Sequence, residues 1–89
     1  MKTLKDKVAA ITGAGSGIGR ATAILMASKG CHVALSDVNE KGLAETVEQC
    51  RSHGVKVTSK RVDVASRDEM YAWADDVVRE HGLVNIIFN

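Results

Sequence analysis

The chain has 89 residues, 45% of them apolar and 26% charged, with a formal net charge of +1, the proportions of one small globular domain. Near-neutral charge gives no electrostatic basis for a nucleic-acid or anionic-membrane partner, and no run approaches the ~18 apolar residues of a membrane span. A domain of this size buries only about 60–65% of its unfolded surface, so its core is thin.

There is no proline, and aromatic residues make up 3%, which favours helices and short loops over a sandwich or a disordered tail. Cys31 and Cys50 form no C-x-x-C pair and read as buried free thiols of a reducing compartment. The segment from Met1 to Lys7 is a polar lead-in with the charge of a signal peptide but not its apolar region. The expected location is the cytoplasm.

Val8 to Thr12 is a first strand, apolar on both faces and therefore central. A helix over 18–29 follows, with Ala21, Ile24, Leu25 and Ala27 or Ser28 expected near the sheet, and Gly30 placed to end it. His32 to Asp37 is a second strand ending on an acid. Asn39 caps a second helix running to about His53, with Leu43, Val47 and Cys50 as one buried stripe, and Gly54 ends it. Val55 to Val62 alternates valines with Lys56, Thr58 and Lys60, the pattern of an edge strand blunted by lysines. Ser66-Arg67-Asp68-Glu69 reads as a capping box for a third helix to about His81, with Met70, Trp73 or Ala74, and Val77 inward. After Gly82, Leu83 to Phe88 is a fourth strand, nearly continuous in apolar residues.

Strand and helix in alternation specify a parallel sheet with right-handed crossovers. With strand 3 at an edge and a glycine-rich turn after strand 1, the doubly wound order is 3-2-1-4. The first two helices then cover one face and the third the other. One face is left poorly covered, and the apolar fourth strand is left at an open edge. These two features lead to the expectation that the chain is incomplete, or completes itself as a homo-oligomer through that edge.

The turn reads Thr12-Gly13-Ala14-Gly15-Ser16-Gly17-Ile18-Gly19. Strand, glycine-rich turn and helix together present bare backbone amides and a helix N-terminus to a phosphate. Gly13 permits the sharp exit from the strand, Gly17 leaves room for a pyrophosphate, and Gly19 lets the helix lie close on the strand. Ser16 and Ile18 offer further backbone amides. The spacing G-x-G-x-x-G fails from both Gly13 and Gly15. A P-loop is excluded because no G-K-[ST] follows. What fits is T-G-x-x-x-G-x-G.

That spacing resembles the short-chain dehydrogenase/reductase family, and the resemblance spans the whole chain. Lys5 to Thr12 is similar to the family's approach to the turn, Asp37 stands where its second strand ends, Asp63-Val64 matches its Asp-Val pair, and Asn89 falls where its N-N-A-G motif begins. The resemblance implies a Rossmann-like fold and a nicotinamide dinucleotide cofactor. Residues 1–89 are then the N-terminal part of one NAD(P)-binding domain, with an alcohol or carbonyl substrate in the complete enzyme. It also implies that Ile18 lies beside the cofactor, that Asp63 bonds the adenine amino group and that Val64 packs on the ring.

Asp37 lies where a carboxylate accepts both ribose hydroxyl protons and repels a 2′-phosphate. NADP-binding members of that family tend to carry a basic residue near position 16 or 38; Ser16 and Val38 stand there, and Arg20, the nearest cation in the sequence, lies one turn into the helix, so NAD is expected over NADP. The family's catalytic Ser and Tyr-x-x-x-Lys have no counterpart in the 89 residues: Tyr71 is the only tyrosine, and four residues on stands Asp75. No catalytic residue is therefore assigned, and the chain alone is expected to be inactive. His32, His53 and His81 are scattered and support no metal site; the two near helix ends read as partners of the helix dipole. Two other readings stand beside this one. Gly13-Ala14-Gly15-Ser16-Gly17 also reads G-x-G-x-G, as in a methyltransferase-like module that binds S-adenosylmethionine, though Ile11-Thr12 stands where such modules place an acid. A non-enzymatic fragment that assembles through its fourth strand is the third reading.

Overall fold

In a computed structural model, residues 4–89 are described, so the first three residues of the polar lead-in lie outside it. The elements are β1 (Val8–Ile11), α1 (Gly17–Ser28), β2 (His32–Asp37), α2 (Glu40–Arg51), β3 (Val57–Arg61), α3 (Arg67–His81) and β4 (Ile86–Phe88). All strand pairs are parallel, in the order β3-β2-β1-β4. This is the doubly wound α/β arrangement expected from the alternation of apolar runs. The register sets Val8 to Ile11 beside His32 to Leu35, and Ala9 to Ile11 beside Ile86 to Phe88.

The sheet divides the apolar residues into two cores. On one face α1 and α2 close over Ala9, Ile11, Val33 and Leu35, with Ala23, Ala27, Leu43, Val47 and Cys50 supplied by the helices. On the other, α3 brings Trp73 and Val77 against Ala10, Ala34 and Val62, with Met70 and Val84 half-buried beside them. Both cysteines are buried and free, and burial pushes the Cys50 thiol up to about 11 and raises that of Cys31.

The helix ends follow the sequence signals in detail. Asn39 accepts from the Gly42 amide (3.1 Å) and Ser66 from the Glu69 amide (3.2 Å). At the end of α1, Gly30 has φ +85°; its amide donates to Ala27 and that of Cys31 to Met26. That is the Schellman arrangement, which a left-handed glycine makes possible.

Several expectations need correction. On α1 the inward stripe is Gly19, Ala23 and Ala27; Ala21 faces solvent and Leu25 is 55% exposed. The closest contact of the helix, not its most apolar side, fixes its rotation, as the site shows below. The capping box is half formed, because the Glu69 carboxylate accepts from Asp63 N (3.0 Å), six residues back, instead of from the cap's own amide. β3 begins at Val57 rather than Val55, and β4 at Ile86 rather than Leu83. Ahead of β4, Asn85 bonds to Val8 through both its amide and its side-chain oxygen (2.9 Å each). Burial lowers the pKa of His81 in the last turn of α3, and its Nε2 lies 2.7 Å from Thr58 Oγ1.

Candidate cofactor site

At the C-terminal ends of β1 and β2 the chain makes the glycine-rich turn and the acidic strand end, the place where open α/β sheets take their ligands. Gly13 leaves β1 with φ +62° and Gly17 enters α1 with φ +55°, conformations with little penalty only for glycine. A Cβ on either would meet nothing within 4 Å, so both face open space. Gly19 is the opposite case. A Cβ there would sit 2.1 Å from the Gly13 carbonyl oxygen, so the missing side chain is what lets α1 lie against the turn. This contact also sets which side of α1 faces the sheet.

Ser16, at the N-cap, makes no side-chain hydrogen bond to the helix. The first-turn amides of α1 have no intrahelical acceptor either, and together with the helix dipole they form a site of positive potential. Ile18 is 75% exposed beside them.

Asp37 closes the site from the side of β2. Its Oδ2 accepts from Gly15 N (2.7 Å) and its Oδ1 from Asn39 N (2.9 Å), so the carboxylate is held by one main-chain donor on each oxygen. A cleft of about 120 Å³ opens next to it, lined by Gly13, Asp37, Val38, Val62, Asp63 and Val64. The structure thus brings Gly13, Asp37, Asp63 and Val64 to one hollow, with the amides of α1 opening from the same turn. Asp63 also does the local task open to it, accepting from Ala65 N (2.9 Å) through Oδ1. Asn89 lies just past β4, 3.4 Å through Oδ1 from Thr12 Oγ1, and borders a different hollow, beside Trp73 and Val77. The groups present fit a dinucleotide: amides that can donate to phosphates, a fixed carboxylate that can accept from a sugar, and a narrow, largely apolar cleft for a base.

Four residues carry the site's underside in roles that the sequence reading did not assign. Arg20 Nη2 donates to the carbonyls of Gly15 (2.6 Å) and Gly42 (2.9 Å) and pairs with Glu45 (3.0 Å), while Nε donates to Thr46 Oγ1 (2.9 Å). The buried Thr46 hydroxyl in turn donates to the Ala14 carbonyl (2.7 Å). Gly15 and Gly42 let turn and helix meet: a Cβ on Gly42 would fall 2.5 Å from the Gly15 oxygen, and one on Gly15 2.8 Å from Asp37 Oδ2. One signal was available, since a glycine inside a helix weakens it and commonly marks a close approach. Nothing in the spacing singles out Arg20 or Thr46. Among the described residues no cluster of His, Cys, Asp and Glu could hold a metal ion, and no helix is long and apolar enough to cross a membrane.

The chain matches the short chain dehydrogenase family over residues 7–89. It belongs to that family. It is 48% identical over 89 residues to SadH of Mycobacterium tuberculosis, an oxidoreductase by name, and covers 32% of that protein. It is 41% identical over 88 residues to the 17-beta-hydroxysteroid dehydrogenase 13 of Mus musculus, covering 29% of it. Among solved structures, NAD+-bound xylitol dehydrogenase superposes with a TM-score of 0.94 at 37% identity, over 98% of this chain and 34% of that one. A short chain dehydrogenase/reductase from Burkholderia phymatum in complex with NAD gives 0.93 at 43% identity, over 99% and 31%. The chain therefore spans about a third of the length of the relatives it matches. This membership, with NAD-bound neighbours, leaves the S-adenosylmethionine reading and the non-enzymatic reading without support.

Proposed function

We propose that this chain is the NAD-binding part of a short-chain oxidoreductase. Residues 1–89 then belong to one Rossmann-like cofactor domain, and in the whole enzyme hydride passes between nicotinamide and an alcohol or carbonyl substrate. The amides around Gly13, Ser16, Gly17, Ile18 and Gly19 hold the diphosphate. Asp37 takes the hydroxyls of the adenosine ribose, Asp63 meets the adenine amino group, Val64 packs on the ring, and Asn89 closes the row at the end of β4.

The observation that carries this reading is the hydrogen bond from Gly15 N to Asp37 Oδ2, which ties turn and carboxylate together at the mouth of one cleft. NAD is the preferred cofactor for two reasons. A fixed carboxylate repels a 2′-phosphate, and the cations at the turn and beside Asp37 are already engaged, Arg20 on backbone carbonyls and Glu45 and Arg61, in register with Asp37, on Glu69. The 89 residues carry no catalytic group of their own and turn over no alcohol. Free buried thiols suit a cytoplasmic location.

Calorimetric titration with NAD, NADP and S-adenosylmethionine tests the reading itself. NAD is expected to bind most tightly, and Asp37→Ala is expected to narrow the gap between NAD and NADP. Absence of NAD binding, or an unchanged gap in the variant, contradicts it.

A further inference from the structure

Gly15 is held from two directions at once. Its amide donates to the Asp37 carboxylate, and its carbonyl accepts the shortest hydrogen bond that Arg20 makes. The same guanidinium reaches across to the Gly42 carbonyl and the Thr46 hydroxyl of α2, and Thr46 returns a bond to Ala14, the residue before Gly15. The peptide groups flanking Gly15 therefore form a rigid bridge, with a cation on one side and the ribose-side carboxylate on the other. The glycines at 15 and 42 leave no slack, because a single Cβ on either would overlap its neighbour.

We infer that Arg20 is a positioning residue for cofactor discrimination: it orients the Gly15 amide, and through that amide fixes the rotamer of Asp37. This rests on the reading of Asp37 as the ribose ligand. A carboxylate whose two oxygens are each engaged by a main-chain amide keeps its remaining lone pairs aimed in one direction. Such a group accepts two ribose hydroxyls without prior ordering, and it cannot turn away when a 2′-phosphate approaches. Without Arg20, the Gly15 carbonyl loses its strongest partner and the peptide can tilt. Asp37 then gains the freedom to rotate, which weakens the ribose contacts of NAD and relieves the repulsion against NADP. A guanidinium suits this task better than an ammonium, since its planar fork bridges several fixed acceptors at once.

The test is the ratio of the dissociation constants for NADP and NAD, measured by calorimetry at fixed ionic strength on the wild-type protein and on Arg20→Met. The variant is expected to bind NAD about tenfold more weakly, the scale of one charge-assisted hydrogen bond, with NADP weakened less or not at all, so that the ratio shrinks. A purely structural role for Arg20 moves both constants by the same factor, and an unchanged ratio overturns the inference. If Arg20→Met does not fold, Arg20→Lys decides: it keeps the charge but cannot span Gly15, Gly42 and Thr46 together. A shrunken ratio in Arg20→Lys supports the inference and a wild-type ratio overturns it. Failure of the wild-type protein to bind NAD overturns the proposed function, and this inference with it. A wild-type protein that discriminates, beside variants that discriminate equally well, overturns the inference alone.

Discussion

The two faces of the sheet are built to different standards. Under α1 and α2 the core is continuous, with Ile11, Val33, Leu35 and Cys50 wholly buried and the helices joined to the turn by glycine contacts and the Arg20 bonds. Under α3 the buried apolar cluster is smaller: Ala10, Ala34, Val62, Trp73 and Val77. The remaining space is an apolar groove of about 340 Å³ that runs from Ala10 past Trp73, Val77 and Val84 to Ile87 and Asn89. The face that supports the cofactor turn is thus the more completely packed one. Dense packing beneath the turn and Asp37 holds their backbone geometry in place.

The largest expected effect falls on the more completely packed side. Gly19→Ala places a methyl group against the Gly13 carbonyl and is expected to cost more than about 3 kcal/mol in denaturant unfolding, with NAD binding lost; a small cost would mean that turn and helix are loosely coupled. Next come two matched substitutions. Val33→Ala on the closed face is expected to cost about 2.5 kcal/mol and Val77→Ala about 1.5 kcal/mol, because alanine favours the helix and the site beside the groove is less tightly packed. Equal losses would erase the contrast between the faces.

A smaller change is expected at Ser36. Its hydroxyl is buried without a partner among the described residues, so Ser36→Ala is expected to stabilise by about 1 kcal/mol; a loss of stability would show that the hydroxyl has a partner. The smallest effect concerns α3 and its link to β3. Burial lowers the His81 pKa below its ordinary 6.5, so the unfolded chain takes up the proton first. The contribution of His81 to stability is therefore complete above pH 6.5 and is lost as the pH falls through that value towards the folded pKa. His81→Gln is expected to flatten this part of the stability profile, and an unaltered profile would contradict the assignment.

Much of this was legible in the sequence because it depends on period and on local chemistry. Apolar runs between glycines specify the strands, the lysines of β3 mark an edge, and Asn39 and Ser66 announce their helices. The turn was legible because only glycine serves at Gly13, Gly17 and Gly19. The rotation of α1 was not. Leu25 is the more hydrophobic residue, yet the approach of Gly19 to Gly13 turns Ala23 and Ala27 inward and leaves Leu25 in solvent. Arg20 was hidden for a related reason: its acceptors at Gly15, Gly42 and Thr46 lie up to 26 positions away and meet only once both helices are packed. Contacts that depend on the relative placement of two elements leave no period in the chain.

The central claim is that the turn after β1 and the acid at the end of β2 form one dinucleotide site supported by the more completely packed face. Titration of the isotopically labelled protein with NAD, followed amide by amide in nitrogen–proton correlation spectra, tests it most directly. The account predicts large shifts confined to residues 13–19, Asp37 to Asn39, Asp63 to Ala65 and Asn89, with Trp73 and Val77 in the groove unaffected. Shifts centred on that groove, with the turn and Asp37 unmoved at saturation, would contradict it.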